Sequence, residues 1–141
     1  MPIDLVLDQW PFVLTKFDGD QSQAELEAYI QRMNQVHARK QRYVGISYLK
    51  RYSRERPHVE RIARWLKESE EVTREYCLGV SMINASIGFR FVLSGIFLIK
   101  PMPCPYHVCA TFEEAVTFVR RQADEKRLPL PVARRPWNDV P

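Results

Sequence analysis

The sequence lacks several patterns that are typical of particular catalytic, metal-binding and membrane-spanning proteins. Its five glycines do not fall in a Walker or dinucleotide-binding spacing, so a phosphate-binding loop is not expected. Its three cysteines, Cys77, Cys104 and Cys109, lack the paired spacing of a zinc knuckle or a thioredoxin-type motif, and we expect reduced thiols. The longest apolar stretch, residues 87–99, contains Arg90 and is shorter than the about 20 residues of a membrane span.

The chain also lacks a strong charge of one sign. Lys and Arg number 21 against 17 Asp and Glu, and a net charge of +4 without a localised basic face does not indicate nucleic-acid binding. With 141 residues, 45% of them hydrophobic, the composition is that of one globular domain. No basic segment followed by an apolar core opens the sequence, so we expect a cytoplasmic protein.

Groups that could perform catalysis or bind a metal are scattered. His37, His58 and His107 fall on different predicted elements, and none has a second ligand at helical metal-binding spacing. His107 and Cys109 share one face of a predicted strand, but residues two apart on a strand stand near 7 Å from each other, beyond hydrogen-bonding reach. We therefore predict no enzyme active site, no cofactor and no metal site.

Hydrophobic periodicity predicts an α/β domain. Strands are predicted at residues 3–7, 12–17, 43–49, 77–83 and 106–110, and helices at residues 22–40, 57–75, 87–99 and 111–127. Ser22 with Glu25, and Thr111 with Glu114, are capping-box pairs that open two of the helices. The order β-β-α-β-α-β-α-β-α requires crossover connections, and hence a mixed, mainly parallel sheet with an N-terminal antiparallel hairpin and four helices.

The last fourteen residues differ in character from the rest of the chain. Residues 128–141 contain four prolines, which favour an extended polyproline conformation over packing. We therefore divide the chain into a domain at residues 1–127 and a Pro-rich extended tail at residues 128–141, and expect the domain to keep its fold without the tail.

A succession of short segments resembles a known family. The segments are Ile62-Ala-Arg-Trp-Leu66, Tyr76-Cys-Leu-Gly-Val80, Arg90-Phe-Val-Leu93, Ile96-Phe-Leu98, Pro101-Met-Pro-Cys-Pro-Tyr106 and Thr111-Phe-Glu-Glu-Ala115. Together with the element order, they are similar to the small bacterial SpoIIAA-like proteins, also described as STAS/SEC14-domain proteins, over residues 3–127. The resemblance implies a STAS-like fold and a regulatory or binding role, and it implies no reaction.

Ser53 is the one modification site that the resemblance suggests. Proteins of the SpoIIAA type are phosphorylated on a serine at the start of the helix after the central strand, within an Asp-Ser-Ser-Gly-like motif. Ser53 lies at the matching place, but the acidic residue before it and the glycine after it are missing. A helix cap explains Ser53 without further assumptions and is the favoured interpretation, while the arginines around it would accommodate a phosphate.

The apolar segment 87–99 is the strongest candidate for a binding surface. Its apolar residues surround nearly the whole helix, whereas a helix on a sheet needs only one apolar side. The extra surface requires a cover: a neighbouring helix, an identical subunit, a hydrophobic ligand or the chain's own tail. The residues expected to contact a partner are Phe89, Arg90, Phe97, Met102 and Pro103.

Two functions follow from these observations. The leading hypothesis is a non-enzymatic STAS-like regulatory or protein-interaction module that binds a protein partner, or a second copy of itself, through helix 87–99 and the Pro-rich connector after it. The alternative is a carrier or sensor of a small hydrophobic or lipid-like ligand, motivated by the Phe and Ile side chains concentrated in one helix.

Overall fold

The computed structural model describes residues 3–19, 21–51 and 55–141. Within these ranges the chain forms five strands and five helices. The strands are β1 (Ile3–Val6), β2 (Phe12–Asp18), β3 (Tyr43–Arg51), β4 (Cys77–Ile83) and β5 (Tyr106–Cys109), and the helices are α1 (Gln23–Ala38), α2 (Arg56–Glu68), α3 (Glu70–Tyr76), α4 (Ile87–Ile99) and α5 (Phe112–Glu125). The predicted α/β class is confirmed. Ser53, for which a helix cap is the favoured interpretation and phosphorylation the alternative, lies outside the described residues.

The strands form one mixed sheet in the order β1-β2-β3-β4-β5. β1 pairs antiparallel with β2, and the other neighbours pair parallel, with Leu14 opposite Ile46 and Ile46 opposite Ser81. The antiparallel pairing of β1 with β2 and the parallel pairing of the other strands confirm the mixed sheet that was predicted from the order of the elements. The parallel strands are joined by crossover helices, as parallel pairing requires.

The number of helices differs from the prediction. The single helix expected over residues 57–75 divides at Ser69, where α2 ends and α3 begins. The Ser69 hydroxyl donates a 2.8 Å hydrogen bond to the carbonyl of Trp65, four residues earlier. Such back-bonding competes with the helical ladder and bends helices, and the described residues contain five helices instead of four.

The sheet is covered on both faces. One face carries Val13 and Phe17 and packs against α1, α2 and α4. The opposite face carries Phe12, Leu14 and Ile46 and packs against α5. Because successive side chains along each strand point to opposite faces of the sheet, the sheet contributes to two separate apolar clusters.

The C-terminal segment is packed on the α5 face, which contradicts the prediction that it does not pack. Trp137 and Val140 are buried, and the carbonyl of Pro141 accepts a 2.7 Å hydrogen bond from the amide of Phe112. The segment has no helix or strand, as expected of its prolines. Two buried apolar side chains, together with specific hydrogen bonds, are enough to attach this segment to the domain, although its apolar residues do not follow the period of a helix or a strand.

Candidate ligand-binding cavity

A largely apolar cavity of about 260 Å³ lies between the sheet and helices α1, α2 and α4. Within the part of the chain that the structure describes, no Asp, Glu, Lys or Arg lines it. The lining comprises Val13, Thr15, Phe17, Tyr29, Met33, His37, Tyr43, Gly45, Ser47, Leu49, Ile62, Trp65, Leu66, Thr73, Cys77, Val80, Met82, Phe89, Leu93, Phe97, Met102 and Cys104.

Small side chains on the central strand β3 leave the space open. Residues Tyr43, Gly45, Ser47 and Leu49 alternate onto the cavity side of the sheet. The two middle positions have little or no side chain, and the helices do not fill the gap above them. A Cβ atom at Gly45 would already lie 3.2 Å from Cγ2 of Val80, so the floor itself is tightly packed while the space above it is not.

Ionic and hydrogen-bonded contacts hold α1 and α2 together as one wall. The guanidinium of Arg61 donates to both carboxylate oxygens of Glu27, at 2.6 and 3.2 Å, and this hydrogen bonding lowers the pKa of Glu27. The indole Nε1 of Trp65 donates to Oδ1 of Asn34 at 3.0 Å. These contacts fix the position of Trp65 at the cavity.

Helix α4 forms the other wall. Ser86 caps it, accepting a 3.2 Å hydrogen bond from the amide of Phe89. Phe89, Leu93 and Phe97 recur every four residues and face the cavity, and the Phe97 ring lies 5.0 Å from that of Tyr106, centroid to centroid. This inward row holds α4 against the domain.

One end of the cavity is polar but uncharged. His37 Nε2 lies 3.2 Å from the hydroxyl of Tyr43, and the imidazole stacks on Trp65 with centroids 5.9 Å apart. Burial lowers the pKa of His37 and raises that of Tyr43. A hydrogen bond with Cys77, together with burial, raises the pKa of the Cys104 thiol. At neutral pH His37, Tyr43 and Cys104 are therefore uncharged.

The cavity can hold an uncharged molecule that is mainly apolar and has one polar group. A charged ligand inside it would lose its hydration without meeting a described counter-ion, which is strongly unfavourable. The described residues contain no group of three His, Cys, Asp or Glu placed to hold a metal ion. His107 stacks on Phe118, with centroids 5.1 Å apart, and does not join the cavity lining.

Comparison with known proteins yields no relative: no protein-family model, no curated protein and no solved structure matches the chain. The resemblance to SpoIIAA-like proteins therefore stays a prediction. No helix among the described residues has the length and apolarity to cross a membrane.

The residues predicted to contact a partner do not form one outward surface. Phe89, Phe97 and Met102 line the cavity, and their expected contact with a partner stays a prediction. Arg90 is partly buried and donates a 2.8 Å hydrogen bond to the carbonyl of Asn84. Pro103 is half-buried in the connector.

The residues that sequence reasoning missed belong to β3 and α2. Gly45, Ser47 and Trp65 shape the cavity, but only the alternation of large and small residues along β3 signals an unfilled space. That signal is weak, since a small strand residue is also the usual partner of a closely packed helix.

Proposed function

We propose that the protein is a non-enzymatic binding protein that holds a small, uncharged, mainly apolar molecule in the cavity. The observation that carries the proposal is the space of about 260 Å³ that is lined mainly by apolar side chains, with no Asp, Glu, Lys or Arg among the described residues that line it. Protein interiors are close-packed, and voids larger than a water molecule are few. An apolar cavity of about 150 Å³ is enough to bind benzene.

The proposal includes a STAS-like fold and a cytoplasmic location. Support for the fold comes from the mixed sheet with its N-terminal antiparallel strand and the crossover helices. Support for the location comes from three free, buried cysteines, which suit a reducing compartment. The neutral groups at the polar end of the cavity can orient a ligand, but they are not arranged as a nucleophile and its base. In this proposal the protein therefore carries or senses the ligand and does not convert it.

Native mass spectrometry of gently purified protein, combined with titration of the neutral apolar dye Nile red, tests the proposal. We expect a discrete bound mass or saturable dye binding at one site per chain. Ser47→Leu places an aliphatic side chain in the cavity and should weaken dye binding at least tenfold. Thr117→Leu, an equivalent change at an exposed position of α5, should leave it unchanged. Empty spectra together with dye binding that both variants retain would contradict the proposal.

A protein-interaction role is the second candidate function. It is favoured by the exposure of large apolar side chains along the side of α4 that faces away from the cavity. This surface does not depend on the ligand, and a regulatory module could use both features.

A further inference from the structure

The side of α4 opposite the cavity is an apolar surface. It comprises Ile87, Phe91, Val92, Ile96, Leu98 and Ile99, each between 52% and 89% exposed, and is called the outer face of α4. Exposed apolar patches of more than a few hundred Å² are rare on monomers and mark interaction sites. None of these side chains is needed to hold α4 in place, since the cavity-facing row does that.

The outer face carries no charge that a partner would have to desolvate. Successive residues of an α-helix are rotated by about 100°, which places the six side chains of the outer face, together with Gly88 and Gly95, on one half of the helix circumference. Arg90 and Ser94 lie outside this half. The guanidinium of Arg90 is directed to the carbonyl of Asn84. Burial of this face against another apolar surface therefore leaves no described ionic group unpaired.

Two glycines near the middle of the outer face indicate what kind of surface covers it. A Cβ atom at Gly95 would contact nothing within 4 Å, and one at Gly88 would meet only the Ser86 hydroxyl, at 3.8 Å. Glycine is unfavourable inside a helix, and the described residues offer no steric reason for either one. The two positions are seven apart in the sequence, so they lie on the same side two turns apart, where glycine lets a second helix approach closely.

The size of the face suits a symmetric pair. Burying one aliphatic or aromatic side chain removes on the order of 100 Å² of apolar surface from water. Six partly exposed side chains on each of two copies then give a total of about 1,000 Å², the lower bound for a specific interface. A two-fold axis brings the same face of both copies together, so no second surface has to be found.

We infer that the outer face of α4 is the contact surface for a second copy of this chain, with the two α4 helices packed across Gly88 and Gly95. The inference deepens the second candidate function and rests on it, and it is independent of the cavity ligand. A lipid surface would also cover the apolar side chains, but it has no requirement for glycine at the centre of the face.

Sedimentation equilibrium of the full chain tests this inference over about 1–300 µM, a range that brackets a micromolar dissociation constant. We expect a monomer–dimer equilibrium for the wild type. Phe91→Asp puts a charge on the outer face and should raise the dissociation constant at least a hundredfold. Val132→Asp, at an equally exposed position on the C-terminal segment, should leave it unchanged.

Gly95→Ala distinguishes a second copy from other occupants. The added methyl group meets open space within one chain, so the thermal midpoint of the monomer should stay level or rise. Between two closely packed helices the same methyl group should raise the dimer dissociation constant at least tenfold. A wild type that is monomeric throughout overturns the inference. If that monomer also floats with vesicles containing anionic phosphatidylglycerol, and Phe91→Asp but not Gly95→Ala abolishes flotation, the occupant is a lipid surface.

A wild type that is monomeric and does not float with vesicles would overturn both the inference and the lipid alternative. The partner in the second candidate function would then be a different protein. Because Nile red binding in the cavity is measured separately, these outcomes do not decide the proposed ligand-binding function. Circular dichroism of Phe91→Asp and Gly95→Ala confirms that each variant is folded before its association is compared. A dimer that persists in Phe91→Asp would place the interface elsewhere on the chain and overturn the inference.

Discussion

The indole Nε1 of Trp137 donates a 2.9 Å hydrogen bond to the carboxylate of Asp4, joining the C-terminal segment to the first strand of the sheet. Trp137 is only 8% exposed, and its ring lies 6.4 Å from that of Tyr48, centroid to centroid. Nearby, the Gln9 side chain bonds both the amide and the carbonyl of Arg134. The C-terminal segment is therefore part of the fold.

Removal of residues 128–141 is expected to destabilise the protein substantially. Truncation exposes the surface that Trp137 and Val140 cover, and loss of a buried Trp alone costs about 3–5 kcal/mol. The midpoint of thermal unfolding should fall by more than about 10 °C. Val132→Ala, which alters an 86% exposed side chain of the same segment, should shift it little. If the truncated chain unfolds at the same temperature as the full-length protein, the packed C-terminal segment contributes little to stability.

Acidification should weaken the attachment of the same segment. Asp139 accepts from Lys50 at 2.7 Å and from Lys16 at 2.9 Å, and these contacts lower its pKa to about 2. The folded state thus favours the ionised carboxyl, so its stabilising effect is present above the ordinary pKa of 3.8 and is lost as the pH falls through about 2. Urea unfolding should show a steeper decline between about pH 4 and pH 2 in the wild type than in Asp139→Asn. If the free energy of unfolding depends on pH in the same way in the wild type and in Asp139→Asn, the ion pairs of Asp139 do not contribute to the acid sensitivity.

His37 should make the free energy of unfolding depend on pH in a second range, above the range in which Asp139 acts. Its pKa is lowered from 6.5 by burial, so the unfolded chain takes up a proton below about pH 6.5 where the folded chain does not. The free energy of unfolding is therefore expected to fall as the pH decreases below about 6.5. His37→Gln retains hydrogen-bonding capacity toward Tyr43 and should flatten that decline, whatever its effect on stability at pH 8. An unchanged slope in His37→Gln would show that another group is responsible.

The sheet and most elements were predictable because they depend on local periodicity. The alternation in β1, the capping box at Ser22 and Glu25 and the connector prolines each act over a few residues, and each appears as expected. The docking of Trp137 was not predictable, because it depends on contacts across more than 130 residues of chain. The break at Ser69 was missed for another reason: a serine that bends a helix and one that points to solvent look alike in sequence.

The candidate cavity depends on volume, which a sequence does not display. Gly45 and Ser47 reveal a space only once α1, α2 and α4 are in place around them. The side of α4 that faces inward was likewise ambiguous. Because apolar residues occupy both of its sides, the pattern does not distinguish Phe97 from Phe91.

Phe97 and Phe91 therefore provide a matched pair of the same residue type on opposite sides of one helix. Phe97 lines the cavity and contacts Tyr106, while Phe91 is 82% exposed. At concentrations low enough to keep the chain monomeric, Phe97→Ala should reduce the free energy of unfolding by about 2–3 kcal/mol, less than for a fully buried Phe. Phe91→Ala should change it by less than about 0.5 kcal/mol.

Urea denaturation followed by tryptophan fluorescence measures both variants on one scale. The same pair should behave oppositely in sedimentation, where Phe91→Ala weakens association and Phe97→Ala acts only through stability. Because each variant removes the same atoms from the same helix, differences in helix propensity cancel in the comparison. Equal losses of stability in the two variants would mean that α4 is turned about its axis relative to the arrangement described, and would remove the basis for both the cavity wall and the outer face.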